Sequence, residues 1–442
     1  MAKRLLVLLL FLGLSIPLCG TAKPNEKDDR PVVIRAGRLL DVGSGEVRTN
    51  VTILVRQGRI VAVGDPESRG LGTGLRLPAD AEVIDLSQAT VLPGLIDLHA
   101  HILLEPGDVM GSYIRRSSAR KALDGLRHAQ ALLAAGFTTL RDPGDADAYY
   151  AAVEIRNAIQ RGEFVGPRLL VAPHFLSPTG GHGDFNELAP DVVVLADGKI
   201  VDSPDAMRRT VREEIKYGAD WIKLFATGGV LSAHDDPRVQ AFTDEELRAA
   251  VEEAHRHGKK VAAHAHGAAG LKAAVRAGVD SIEHGALIDD EAIALLRERG
   301  TTLVPTLYVA NFITEEGARR GIPEDRVAKA RNLLPERDRA LRAAFAAGVK
   351  VAFGTDTGVF PHGQGGREFA HLVRLGLTPL QAIRSATVVA AELLGLENEI
   401  GTIEAGKRAD IIAVADNPLE NIRTLEEVKF VMKDGRVIRN DF

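Results

Sequence analysis

With 442 residues, 45% of them hydrophobic, the chain is long enough for two or three domain-sized units or for one large α/β barrel with a sizeable core. Its formal net charge of −5 implies no strongly basic face, so nucleic acid is not an expected partner. The single cysteine, Cys19, rules out a disulfide-built fold.

Residues 1–22 have the layout of an export signal: Lys3 and Arg4, the apolar run from Leu5 to Leu12, then the small residues Gly20, Thr21 and Ala22. That run is too short for a permanent span, and no later stretch approaches the ~20 apolar residues that a transmembrane helix needs. The mature protein is therefore expected to be exported, periplasmic or secreted, without a membrane span. Retention of Cys19 as a lipid anchor is the competing reading, but Leu18 before it is larger than such sites prefer.

Residues 23–90 read as the first part of a small β-sandwich. Val32-Val33-Ile34-Arg35, Val51-Thr52-Ile53-Leu54-Val55 and Arg59-Ile60-Val61-Ala62-Val63 are strand-like and separated by glycine-containing turns. Residues 399–442 supply the second part, through Ile411-Ile412-Ala413-Val414 and Val428-Lys429-Phe430-Val431-Met432. Gly435-Arg436-Val437-Ile438 repeats the pattern of Gly58 to Val61, so the two termini are expected to pair in one sheet.

Between them, residues 91–398 alternate apolar strand candidates with helical stretches such as Thr243 to His257, where the threonine can cap and Glu245-Glu246 fill the first turn. The candidates are Leu92 to His101, Phe137 to Arg141, Leu169 to Ala172, Trp221 to Ala226, Lys260 to His266, Ser281 to His284, Thr302 to Leu307 and Val349 to Asp356. Eight such units predict a (β/α)8 TIM-like barrel, with its chemistry on the loops at the strands' C-terminal ends.

Those ends carry the informative residues. His99 and His101, two apart on an extended segment, point the same way and can grip one cation together with Asp356. His264 and His284 can hold a neighbouring cation. Imidazole and carboxylate ligands suit a divalent ion such as zinc. Lys223 is the odd member, since an ammonium cannot coordinate. Burial in Trp221-Ile222-Lys223-Leu224-Phe225 favours the neutral amine, which can take up carbon dioxide and become an N6-carboxylate able to bridge two metals.

This ordered set, a His-x-His pair after strand one, a lysine on strand four, histidines after strands five and six and an aspartate after strand eight, resembles the amidohydrolase superfamily. Trp221 to Val230, Thr179-Gly180-Gly181-His182-Gly183-Asp184 and His264-Ala265-His266-Gly267 resemble its branch of prolidase-like Xaa-Pro and Xaa-Arg/Lys dipeptidases and ochratoxin-type amidases. The resemblance implies a binuclear hydrolase in which a metal-bridging hydroxide attacks the amide of a dipeptide or N-acyl amino acid. Asp356 then moves the proton from that water to the departing amine. It also implies a small-molecule substrate and a homo-oligomer. A cyclic-amide hydrolase or a heterocycle deaminase is the alternative within the superfamily, though the deaminases typically use one metal and no bridging lysine. A scaffold without catalysis is the alternative outside it, against which the six intact ligand positions weigh.

Three further residues are read as substrate contacts. The family pattern makes His264 the ligand, which leaves His266 to meet substrate or pack beside it. His182 sits in a glycine-rich loop and contacts substrate or local backbone; Tyr308 donates to the oxyanion or a carboxylate, or only packs at the rim. His128, His255 and His257 are expected to be solvated, His371 lies on a helix, and His362 lies in a glycine-rich loop able to move over the site. Arg141 and Asp142 are expected to pair beneath it.

Overall fold

The computed structural model describes residues 30–64, 78–145, 147–192 and 198–442. The expected export signal and Cys19 fall outside them. Among the described residues no helix is long and apolar enough to cross a membrane.

The two ends of the chain build one mixed sheet of seven strands, in the order Arg436–Asn440, Phe430–Lys433, Ile411–Val414, Glu82–Pro93, Val32–Leu40, Val47–Arg56 and Arg59–Gly64. Its seam is the antiparallel pairing of Ile411 with Pro93 and Val414 with Thr90. The repeated Gly-Arg pattern has a structural cause. Gln57-Gly58 and Asp434-Gly435 both turn with positive φ, at 51° and 77° and at 47° and 78°, as tight two-residue hairpins require. A Cβ on Gly435 would lie 2.8 Å from the Gly58 Cα, so the two turns stack and only glycine fits.

Glu82–Pro93 leads directly into the barrel. Its parallel staves are Leu95–Asp97, Phe137–Asp142, Arg168–Val171 continued by Phe175–Ser177, Trp221–Phe225, Lys260–Gly267, Ser281–Leu287 and Thr302–Val304. The third stave is broken, and its second half pairs with the fourth, Phe175 opposite Lys223. Around it the helices alternate as expected. Asp244–Arg256 starts with a full capping box, Thr243 Oγ1 accepting from Glu246 N and Glu246 returning a carboxylate to Thr243 N.

The run from Val349 to Asp356 closes the ring without forming a regular strand. It is joined by isolated bridges, Leu303 to Val351 and Ala100 to Thr357, with Leu98 N donating to Phe353 O at 3.0 Å and Asp356 N to His99 O at 2.7 Å. The reason is a competing acceptor. Asp97, fully buried, takes His99 N at 3.0 Å and Thr355 N at 3.1 Å on Oδ1, and Thr355 Oγ1 at 2.6 Å on Oδ2. Gly354 permits the approach, since a Cβ there would come within 2.9 Å of the His99 Cβ. This clasp brings the end of the eighth run against the end of the first, and with it Asp356 against His99 and His101.

Candidate active site

All six expected ligand positions, together with His182 and His266, line one cavity of about 140 Å³ at the C-terminal mouth of the barrel. Asp356 Oδ1 lies 3.2 Å from His101 Nε2 and 3.7 Å from His99 Nε2. One donor atom from each of these three residues falls within 4.8 Å of the others, a cluster able to hold a metal ion. The histidine rings continue as a chain. Centroids are 5.1 Å apart for His99 and His101, 4.9 Å for His99 and His284, and 4.7 Å for His264 and His284. His284 and Asp356 carry φ of 71° and 62°, a conformation uncommon outside glycine and concentrated at functional sites.

Each of these imidazoles has one nitrogen tied back to the protein. His99 Nδ1 donates to Glu283 Oε2 at 2.7 Å, His101 Nδ1 to Gly144 O at 2.5 Å, and His264 Nε2 to Gly228 O at 3.1 Å; His284 Nδ1 pairs with Thr306 Oγ1 at 2.6 Å. For His99 and His264 the acceptor leaves the opposite nitrogen with its lone pair, the tautomer that a metal ligand needs, whereas His101 Nε2 faces Asp356 Oδ1 at 3.2 Å. Burial, reinforced by the Lys223 charge, lowers the His99 imidazole to about 4. Burial also holds His264 and His284 well below the ordinary histidine range, so they are neutral. Burial would raise the Asp356 carboxyl, but its bond to His101 and the charges of His99, His101 and Lys223 hold it at about 2.

Lys223 sits in the middle of its stave, 1% exposed, and its Nζ makes no hydrogen bond or ion pair to any described residue. Burial lowers it to about 8, with the Glu283 carboxylate opposing and Arg141 adding to the shift. A buried ammonium without a partner is costly. His99, His264 and His284 lowered by burial, His101 raised against burial by its bond to the Asp356 carboxylate, and a lysine lowered toward its amine form a donor set that fits divalent cations.

Beneath the site the expected pair of Arg141 and Asp142 does not form. Arg141 instead gives Nη2 to Glu283 Oε1 at 2.6 Å, Nη1 to Ser281 Oγ at 3.0 Å and Nε to Leu98 O at 2.6 Å, and lies 4.6 Å over the Trp221 ring. Asp142 accepts from Gly144 N at 3.2 Å, and burial beside Asp145 pushes its carboxyl well above the ordinary range. Glu283 thus links Arg141 to His99. Substituting Glu283→Gln strands a fully buried guanidinium, and is expected to destabilise the protein by about 3–5 kcal/mol in denaturant unfolding.

His284 is oriented from the seventh stave. Thr306, at φ 44° and ψ 65°, is strained for a β-branched residue. It is held there because Leu307 N and Tyr308 N both donate, at 2.7 Å, to the buried Glu368 carboxylate, while Arg337 Nη1 donates to Leu307 O at 2.8 Å. Thr306→Val keeps the branched shape and drops the hydroxyl. Chelator competition is expected to show metal retention weakened by about 10–100-fold; unchanged retention would mean that Thr306 does not orient His284.

Three other expectations need correction. Tyr308 is not among the residues lining the cavity. It lies on the first turn of the helix Leu307–Glu316, where its hydroxyl accepts from Arg367 at 2.9 Å and its ring packs 4.8 Å from Phe360. His128 is not solvated: the helix Ser118–Ala134 turns it inward, where Nδ1 donates to Ile102 O at 2.7 Å. His362 stacks on it at 3.9 Å and donates Nε2 to His101 O at 2.9 Å, so this loop histidine is packed beneath the His-x-His segment. His255 and His257 are surface residues, as expected, paired with Asp280 and Glu253.

His182 stacks 4.5 Å from His264, and its Nδ1 meets Ser232 Oγ at 2.6 Å. His266 stacks 5.0 Å from His284, and its buried Nδ1 has no hydrogen-bond partner. Both line the cavity beside the expected ligands.

Residues 90–438 match the amidohydrolase family. An ochratoxinase from Aspergillus niger is 33% identical over 93% of this chain and 88% of its own length. Among solved structures, a Xaa-Pro dipeptidase with bound methionine is 38% identical at a TM-score of 0.85, over 93% of this chain and all of the other. A prolidase complexed with N-methylphosphonate-L-proline is 33% identical at the same TM-score and the same coverage. With the metal-binding cluster at the barrel mouth, these findings place the chain in the amidohydrolase family, as a metal-dependent hydrolase of carbon–nitrogen bonds in small substrates.

Proposed function

We propose that the chain is an exported hydrolase of dipeptides or N-acyl amino acids that works with two divalent cations, zinc in this reading. The observation that carries the binuclear part is Lys223: buried, without a hydrogen bond or ion pair among the described residues, and drawn toward its amine in a cavity lined by His99, His101, His264 and His284. His99, His101 and Asp356 would hold one cation, His264 and His284 the other, and the lysine, N6-carboxylated, would serve both. In forming that group, the neutral Nζ bonds to the carbon of carbon dioxide and releases a proton. What the cations supply when bound is polarisation of the scissile carbonyl and a lowered pKa for water.

The remaining work falls to side chains. Glu283, Gly144 O and Gly228 O, which can only accept, fix which nitrogen of His99, His101 and His264 donates to them, and Thr306 holds His284 in its orientation. Asp356 takes a proton from the attacking water on its carboxylate and gives it to the amine nitrogen as the C–N bond breaks, since an amine leaves poorly unprotonated. His182 and His266 meet the substrate's polar backbone.

Support for the substrate class comes from the likeness to the dipeptidase and ochratoxinase. Export rests on the leader-like residues 1–22, and a homo-oligomer on the branch resemblance. The deciding experiment is a metal assay with a cleavage screen of zinc-loaded protein against Xaa-Pro, Xaa-Arg/Lys and N-acyl-aromatic substrates. Two metal equivalents per chain with amide cleavage support the reading. One equivalent, with release of ammonia from heterocycles, replaces it with the deaminase.

A further inference from the structure

The cavity that holds these ligands has a second, unlike end, and the side-chain preference inferred from it rests on the amide-hydrolase reading. Its roof is the hairpin of helices after the seventh stave, Leu307–Glu316 and Glu324–Ala346. Val309 and Ile313, one helical turn apart, and Ala330 and Leu333 on the second helix all face into it, joined by Val230 and Val359 from neighbouring loops.

Charge on this lining is scarce. Among the described residues that form it, Asp356 is the one carboxylate, and it belongs to the metal cluster. The cations are Lys223 and Arg337. The Arg337 guanidinium is already occupied, by Leu307 O at 2.8 Å, Asn311 Oδ1 at 3.2 Å and Asp338 Oδ1 at 2.7 Å. A substrate ammonium or guanidinium would lose its water against the roof and find no counter-charge, and a carboxylate would have to displace Asp338.

Rigidity points the same way, because the roof is tied in place before substrate arrives. Lys329 Nζ donates to Gly229 O at 2.9 Å, Ser232 O at 3.1 Å and Asp235 Oδ1 at 3.3 Å, and Arg326 Nε donates to Leu231 O at 3.2 Å. These bonds pin the loop bearing Val230 to the second helix, so little ordering is left to be done on binding.

We propose that the substrate buries a neutral apolar side chain against this helical roof, and that lysine, arginine and glutamate side chains are rejected there. This ranks the candidate amide substrates in favour of apolar residues and against the basic dipeptides.

The test is calorimetric titration of the zinc-loaded full chain with N-methylphosphonyl derivatives of L-phenylalanine, L-leucine, L-lysine and L-glutamate, which have no carbonyl amide to cleave. The first two are expected to bind at least about tenfold more tightly than the last two. Leu334→Glu and Val230→Asp, at half-buried lining positions, each add a carboxylate. In whichever retains the parent's metal content, the lysine derivative should gain at least about tenfold on the leucine derivative. Equal affinities in the parent, including no measurable affinity for any of the four, overturn the proposal, as does a metal-replete carboxylate variant with the parent's ranking. Cleavage of an amide panel is scored separately. An enzyme that cleaves amides but binds lysine as well as leucine keeps the functional reading and loses this one.

Discussion

Lys223→Ala is expected to abolish tight metal binding and to lower kcat/KM by about 10²–10⁴-fold, because several kcal/mol of transition-state stabilisation pass through the ligand set that it completes. The fold should survive. The metal-free variant is expected to unfold no more easily than the metal-free parent, since alanine removes a buried amine that has no hydrogen bond or ion pair among the described residues. That combination, lost metal with retained stability, distinguishes a ligand from a core residue. Short carboxylic acids such as acetate, added with zinc, should restore part of the activity by placing a carboxylate where the lysine's would be. Full turnover by the variant without them, measured against metal content by plasma mass spectrometry, would contradict the carboxylation.

Asp356→Asn separates proton transfer from ligation. The substitution suits the backbone, because asparagine tolerates the φ of 62° at this position better than most residues. An amide oxygen can still face His101 and His99, where Oδ1 now lies 3.2 Å and 3.7 Å away, but it cannot carry the proton to the leaving amine. Turnover is expected to fall by about 10²–10⁴-fold, with metal content reduced far less. Parallel losses of metal and turnover would mean that Asp356 acts chiefly as a ligand.

Much of this site could be read from the chain because barrel geometry converts sequence order into spatial convergence. The His99/His101 pair, Lys223, His264, His284 and Asp356 come from five separate apolar runs, each sits on or just beyond its run, and parallel staves bring those ends to one mouth. The pairing of the termini was legible for a similar reason: Gly58-Arg59 and Gly435-Arg436 both carry the signature of a tight hairpin.

The features that sequence does not reveal depend on contacts that no local pattern encodes. The Val349 to Asp356 run is apolar enough for a strand, but Asp97 captures Thr355 and breaks its ladder. Glu283 is easily passed over beside His284, although an acid inside a buried strand signals a partner. Arg141, a lone base in another apolar run, is the available match. Tyr308 follows a stave as a rim residue should. Glu368, sixty positions further on, starts a helix there and turns the phenol toward Arg367. His128 has charged neighbours on its helix, and its bond to Ile102 O and the stacked His362 ring, both remote in sequence, make it interior.

The central claim is that Lys223 joins two cations into one centre. Anomalous diffraction at the zinc edge, from crystals of zinc-loaded protein grown with bicarbonate, tests it most directly. Two peaks flanking Lys223 Nζ, one beside His99, His101 and Asp356 and one beside His264 and His284, with density for a carboxylate on the lysine, is the expected result. A single peak with Lys223 unmodified would contradict it.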